Sequence, residues 1–236
     1  MNRKEGISGE SGLRYFFLEV TNHCNFNCTF CPDGIMQRKR RFMDKKILFR
    51  LIDEIAERPK NEEPVQLHAM GEPLLCPYLF EAVDRLHQRG LRVRLFTNGA
   101  LLNEKNRKLI FDSNPVELVI GIHTFNRELY NAHRRGKPEF EVYMDGIYKT
   151  IEEKFILGSS TWINLQYLNT KHFNAARVEK GYANAVLPLV DSEEKALSVI
   201  DHWKNFGVKT AVAFGLDFVP KDLECLQGEF RDRPLD

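Results

Sequence analysis

No stretch of this chain approaches the ~20 consecutive apolar residues that a bilayer-spanning helix needs, and the polar run from Met1 to Gly12 has no apolar centre of the kind a secretory signal carries. A helical membrane span is excluded, and a cytoplasmic location is the expectation. An excess of one charge is missing too. The 34 basic side chains face 33 acidic ones for a net charge of +1, which offers no overall electrostatic footprint for nucleic acid and disfavours an RNA or DNA partner. Cysteine is scarce, five in 236 residues, and three of the five fall within eight positions. That clustering is not the spread of a disulfide framework, and it suits a reducing compartment. What the chain does have is 43% apolar residues, enough for one substantial core, which fits one large domain better than two.

The clustered cysteines, Cys24, Cys28 and Cys31, lie in the stretch Thr21-Asn-His-Cys-Asn-Phe-Asn-Cys-Thr-Phe-Cys-Pro32. Three thiolates so placed can grip three irons of a cubane and leave the fourth open, because complete ligation normally takes four cysteines. An open iron binds an outside ligand, so the spacing points to chemistry at the cluster. Two rivals stay open on the residues alone. One is a zinc-stabilised binding module, although zinc usually takes four ligands in paired spacings; the other is an iron-sulfur electron-transfer protein.

The spacing C-x3-C-x2-C, with the aromatic Phe30 directly before the last cysteine, resembles the cluster motif of the radical S-adenosylmethionine (SAM) enzymes. Arg41-Phe42-Met43 adds a likeness to the SPASM and twitch-type members of that superfamily. The resemblance implies a [4Fe-4S] cluster on Cys24, Cys28 and Cys31, with the amino and carboxylate groups of SAM on the open iron. It further implies reductive cleavage of SAM to methionine and a 5′-deoxyadenosyl radical. That radical would abstract hydrogen from a sugar-like small molecule or a peptide, leading to oxidation, epimerisation or crosslinking. The partners implied are that substrate and an electron donor of flavodoxin or ferredoxin type.

Six apolar, strand-like runs recur along the chain: Arg14 to Val20, Val65 to Met70, Leu91 to Thr97, Val116 to Ile122, Thr161 to Leu168 and Val208 to Phe214. Helical patterns separate most of them. Asp44 precedes Ile47, Leu51 and Ile55; Pro77 opens a stretch closed by Gly90; Phe140, Met144, Ile147, Ile151 and Phe155 share one helical face; and Asp191 with Glu194 forms a capping box. Alternating β and α units imply a parallel sheet. Six right-handed βα units curl in the sense of an eight-stranded barrel and leave it open, with the working loops at the carboxyl ends of the strands. The expectation is an α/β fold, a partial (β/α)6 TIM-type barrel with a six-stranded parallel sheet over residues 14–218. A polar segment, 1–13, precedes it. Residues 219–236 read as the start of a C-terminal extension, incomplete in this chain, in which Cys225 is either a first auxiliary-cluster ligand or a lone thiol.

The remaining candidate residues sit where those strands end. Met70-Gly71-Glu72-Pro73 resembles the family's glycine-glycine-glutamate segment, so Gly71 and Glu72 are expected at the SAM amino group, with Met70 in place of the first glycine. Phe96-Thr97-Asn98-Gly99 offers Thr97 and Asn98 at the mouth. Gly121-Ile122-His123 offers His123 where relatives have a serine two residues earlier. In His133-Arg134-Arg135-Gly136, Arg134 is a candidate partner for the SAM carboxylate. Asn164 and Gln166 share one face of the fifth run, and Gln166 is a candidate for adenine, ribose or substrate. The basic run Arg38-Lys39-Arg40-Arg41 reads as a docking surface for an acidic electron donor such as flavodoxin, or as a patch that steers an anionic substrate. The long connection from Asn169 to Val190 reads as a substrate-facing segment.

Overall fold

The computed structural model describes residues 15–58, 63–136, 138–169, 190, 192–206 and 208–214. Thirteen elements follow in order: β1 (Phe26–Cys28), α1 (Lys45–Ala56), β2 (Val65–Gln66), α2 (Leu79–Gln88), β3 (Val93–Thr97), α3 (Glu104–Ser113), β4 (Glu117–Gly121), α4 (Arg127–His133), β5 (Arg134–Gly136), α5 (Phe140–Ile156), β6 (Trp162–Asn169), α6 (Glu193–Lys204) and β7 (Lys209–Phe214). Five strands form one parallel sheet in the order β2-β3-β4-β6-β7. β1 and β5 form a separate antiparallel ribbon.

Helix formation follows local chemistry. Asp44 caps α1 by accepting from the amides of Lys46 (2.9 Å) and Ile47 (3.1 Å), and Leu48, Ile52 and Ile55 turn one stripe of that helix into the core. α2 buries Leu79, Ala82, Val83 and Leu86 at the same periodicity and stops before Gly90, whose φ of 72° suits a residue without a Cβ. On β3, Val93, Leu95 and Thr97 are buried; Leu118 and Ile120 of β4 and Ile163, Leu165 and Tyr167 of β6 continue that face by register. The opposite face carries Arg94, Phe96, Glu117, Asn164 and Gln166, all only partly buried. One side of the sheet is thus an apolar layer, and the other mixes polar side chains with Phe96, Val119 and Trp162.

Several expectations change. Among the described residues the parallel sheet has five strands rather than six, because the first run joins it through a single bridge, Phe17 to Gln66. Beyond Leu18 the backbone leaves for another partner: the Val20 carbonyl accepts from the Met43 amide at 2.9 Å, and Thr21 bridges Phe42. The cap of α6 is Ser192, whose hydroxyl accepts from the Lys195 amide at 3.3 Å, not the box built on Asp191, which lies outside the described residues. α5 buries Met144, Ile147 and Ile151 as expected, but Phe155 is 53% exposed near its end. The ribbon of β1 and β5 has no counterpart in the sequence reading. Cys225 and residues 170–189 lie outside the described residues. No described helix is long and apolar enough to cross a membrane.

Candidate functional site

The three-cysteine loop is fixed by backbone before any side chain is considered. Phe26, Asn27 and Cys28 pair with Gly136, Arg135 and Arg134 across the ribbon. The Thr29 amide donates to the His133 carbonyl at 3.0 Å, and the Thr29 hydroxyl meets His133 Nδ1 at 2.7 Å. A tight turn follows, in which the Cys31 amide donates to the Cys28 carbonyl at 3.1 Å. Phe26 is the loop's apolar anchor, buried edge-on against Tyr130 and Tyr143.

Gly71 receives the loop from below. Its φ is 80°, and a Cβ there would stand 2.6 Å from the His23 carbonyl oxygen and 2.7 Å from that of Thr21. Only glycine lets the end of the second strand lie against the residues leading into Cys24. Next to it, the Glu72 amide donates to the same His23 carbonyl at 2.7 Å.

Glu72 is buried, and its carboxylate accepts from the amides of Leu74 (3.1 Å) and Asn98 (2.6 Å) and from the Thr97 hydroxyl. Burial outweighs those bonds and pushes its pKa up to about 7. Asn98 carries the connection onward: its Nδ2 donates to Asn25 Oδ1 at 2.8 Å and lies 3.6 Å from Cys24 Sγ. Thr97 closes the turn by accepting from the Gly99 amide at 3.1 Å.

Arg134 ties the strand ends to the loop. Its Nη1 donates to the Asn98 carbonyl at 2.6 Å and its Nη2 to the Gly121 carbonyl, while the guanidinium lies over Phe26 (4.9 Å) and Tyr143 (5.1 Å). It is buried, and its Nε has no hydrogen-bond partner. Across the mouth, Phe30 meets His123 edge-on at 4.9 Å. His123 adopts φ 61°; burial and the Arg134 charge hold its ring well below the usual histidine pKa, so it is neutral. The Gln166 carbonyl accepts from the amides of Ile122 (3.0 Å) and His123 (3.2 Å). Gly71, Glu72, Thr97, Asn98 and Arg134 therefore form one connected network with Cys24 and Cys28, with Phe30, His123 and Gln166 along its other edge.

Cys24, Cys28 and Cys31 are all free thiols and all partly exposed. Burial pushes all three pKa values up, Cys28 to about 12, with smaller upward contributions from Asp33 on each, from Glu72 on Cys24, and from neighbouring thiols on Cys28 and Cys31. Three thiols close enough to oppose one another's ionisation are a donor set for a multiply charged metal group, whose binding would release their protons. Among the described residues no three His, Cys, Asp or Glu side chains converge on a single ion. A cubane does not ask for that, since each thiolate takes its own iron.

A sequence model of the Radical SAM superfamily matches residues 18–177, which spans the loop and the network just described. The chain belongs to that superfamily. This radical SAM chain is 29% identical over 176 residues to the AdoMet-dependent heme synthase of Methanosarcina barkeri, a match covering 72% of the chain and 49% of the relative. It is 26% identical over 141 residues to the S-adenosyl-L-methionine-dependent 2-deoxy-scyllo-inosamine dehydrogenase of Niallia circulans, covering 59% and 52%. Among solved structures, Streptococcus suis SuiB bound to S-adenosylmethionine superposes with a TM-score of 0.65 at 16% identity, covering 93% of this chain and 47% of SuiB. A second SuiB structure, bound to its precursor peptide SuiA, matches equally well. The radical SAM chain thus spans about half the length of these relatives. Enzymes of this superfamily use a [4Fe-4S] cluster and SAM.

Sequence reasoning missed several residues of the site. Asn22, Asp33 and Arg40 brace the cysteine loop through bonds between residues 7 to 18 apart in sequence. Tyr143 packs beneath Arg134 from α5, where it reads as one more core aromatic. His68 stacks on Phe96 with ring centroids 3.6 Å apart, on the mixed face of the sheet. The one signal for His68 was a histidine at the end of an apolar run, beside the glycine-glutamate turn. A hollow of about 720 Å³, lined by Arg94, Glu117 and Trp162 among others, opens at the amino ends of the strands and so lies away from the cysteines.

Proposed function

We propose that Cys24, Cys28 and Cys31 hold the [4Fe-4S] cluster of this radical SAM enzyme, and that Gly71, Glu72, Thr97, Asn98, Phe30, His123, Arg134 and Gln166 form the SAM-binding rim. The observation that carries the reading is the network joining the cysteine loop to the carboxyl ends of adjacent parallel strands through Gly71, Asn98 and Arg134. When bound, the cluster supplies the electron that cleaves SAM to methionine and a 5′-deoxyadenosyl radical, which takes hydrogen from the substrate. The chain's own contribution is placement. Gly71 exposes backbone at the strand end, Glu72 fixes Asn98 by its amide, and Arg134 holds two strand ends at a set distance from the loop. The edge-on pair of Phe30 and His123 borders the loop on its other edge.

The substrate is a sugar-like compound or a peptide, and the relatives supply the support. The dehydrogenase relative acts on 2-deoxy-scyllo-inosamine by its name, and SuiB binds a precursor peptide. The electron donor is of flavodoxin or ferredoxin type, and a reducing cytoplasm suits such a cluster. The core is a partial (β/α)6-type barrel in which the first apolar run stands beside the five-stranded sheet, and the SuiB likeness supports an α/β fold of this kind.

The deciding experiment is anaerobic reconstitution. The wild-type chain is expected to take up iron and sulfide and to form 5′-deoxyadenosine from SAM under a strong reductant, while Cys28→Ala loses both. Metal without sulfide would mean zinc, and a redox-active cluster that never cleaves SAM would mean electron transfer.

A further inference from the structure

Two arginines of the basic run after the cysteine loop are paired with carboxylates. Arg38 forks onto the Glu19 carboxylate at 2.6 and 3.0 Å. Arg40 reaches further. Its Nη1 donates to the Asn22 carbonyl at 2.7 Å and to Asp33 Oδ1 at 2.5 Å; its Nη2 donates to Asp33 Oδ2 at 2.8 Å and to the Asp33 carbonyl at 3.0 Å. Asn22 stands two residues before Cys24, and Asp33 stands two residues after Cys31. One guanidinium therefore joins the two ends of the three-cysteine loop. The Asn22 side chain doubles the seam, its Nδ2 donating to the Lys39 carbonyl at 3.1 Å and its Oδ1 accepting from the Arg41 amide at 2.7 Å.

We propose that Arg40 is a positioning residue that closes the three-cysteine loop before metal arrives and, together with Asp33, sets the reduction potential of the cluster held there. This rests on the reading of Cys24, Cys28 and Cys31 as its ligands. Closure at both ends means that the entropy of ordering residues 22–33 is met when the chain folds and not when the cluster enters. The electrostatic part follows from place and sign. Asp33 stands two residues after Cys31, and Arg40 is bonded both to it and to the Asn22 carbonyl two residues before Cys24, so both charges lie beside the loop that would hold the metal group. Reduction adds a negative charge, which a carboxylate opposes and a guanidinium favours. Paired, the two largely cancel; removing either one uncovers the other.

The test uses the full chain with Arg40→Gln, Arg40→Lys, Asp33→Asn and the double variant Asp33→Asn with Arg40→Gln. In metal-free protein, hydrogen exchange is read at the amides of Cys31, Met36 and Arg41, which donate to Cys28, Asp33 and Asn22. Arg40→Gln and Arg40→Lys should both speed exchange there by roughly tenfold or more, the loss expected for charge-assisted bonds, with α2 unchanged. In reconstituted protein, EPR-monitored titration should give a lower potential for Arg40→Gln, a higher one for Asp33→Asn, and values near wild type for Arg40→Lys and the double variant. Unchanged loop exchange in both Arg40 variants overturns the closure. Potentials that shift in the same direction in Arg40→Gln and Asp33→Asn, or do not shift, overturn the electrostatic role. Absence of sulfide from the wild type would sink the ligand assignment instead, and exchange in the metal-free chain would still decide the closure.

Discussion

At the residue scale, glycines at positive φ separate what is structural from what belongs to the site. Gly71 and Gly90 have nearly the same φ, 80° and 72°, yet a Cβ at Gly71 would strike the backbone of residues 21–23 whereas at Gly90 it would meet nothing within 4 Å. Gly90→Ala should therefore cost only the left-handed strain, about 1–2 kcal/mol, and leave iron uptake intact. Gly71→Ala should cost more than that and also displace the cysteine loop. Urea midpoints and iron content after anaerobic reconstitution check both; full iron loading of Gly71→Ala would contradict the placement. Much of this was legible in the sequence, since Gly71, Glu72, Asn98 and Arg134 each sit at a motif with its own punctuation. Asn22 and Asp33 were not, because an arginine already reads as solvated until its distant partners are seen.

At the scale of elements, alternation and capping served well wherever a segment is long enough to show a period. β3, β4 and β7 lie within the runs that announced them, β6 passes the end of its run by one residue, and α1 begins at its aspartate cap. The failures are short. β1 and β5 have three residues each, too few for a period, and they pair antiparallel inside what reads as a loop. The first apolar run keeps its alternation but loses its ladder, because residues 41–43 offer Val20, Thr21 and Asn22 a second edge to pair with. α6 packs through Ala196, Val199 and Trp203, and His202 stacks on Phe125; its largest anchor is Trp203, fully buried, which donates from Nε1 to the Tyr167 hydroxyl at 2.6 Å. Trp203→Ala should destabilise the chain by about 3–5 kcal/mol. Tyr167→Phe, which leaves the indole N–H without its acceptor, should cost about 1–3 kcal/mol. Denaturant unfolding of both variants measures the difference, and equal small losses would mean that α6 is not part of the cooperative core.

At the scale of the whole molecule, the fold class was readable and the surface was not. In the basic run that the sequence offers to an electron donor, Arg38 and Arg40 are paired with Glu19 and Asp33, while Arg38, Lys39 and Arg41 are exposed. Charge reversal at Lys39 and Arg41 should slow reduction by flavodoxin, most strongly at low ionic strength, and spare turnover with dithionite. Equal loss with both reductants would place the donor elsewhere. The anchoring by Arg134 has a consequence of its own for how such a scaffold can vary. Its two acceptors, at positions 98 and 121, are main-chain oxygens, which every amino acid supplies alike. The fastening is blind to side-chain identity there, so a glycine at 121 in place of the more usual serine leaves the rim seated on the cysteine loop, and the mouth is free to change its chemistry without losing its shape.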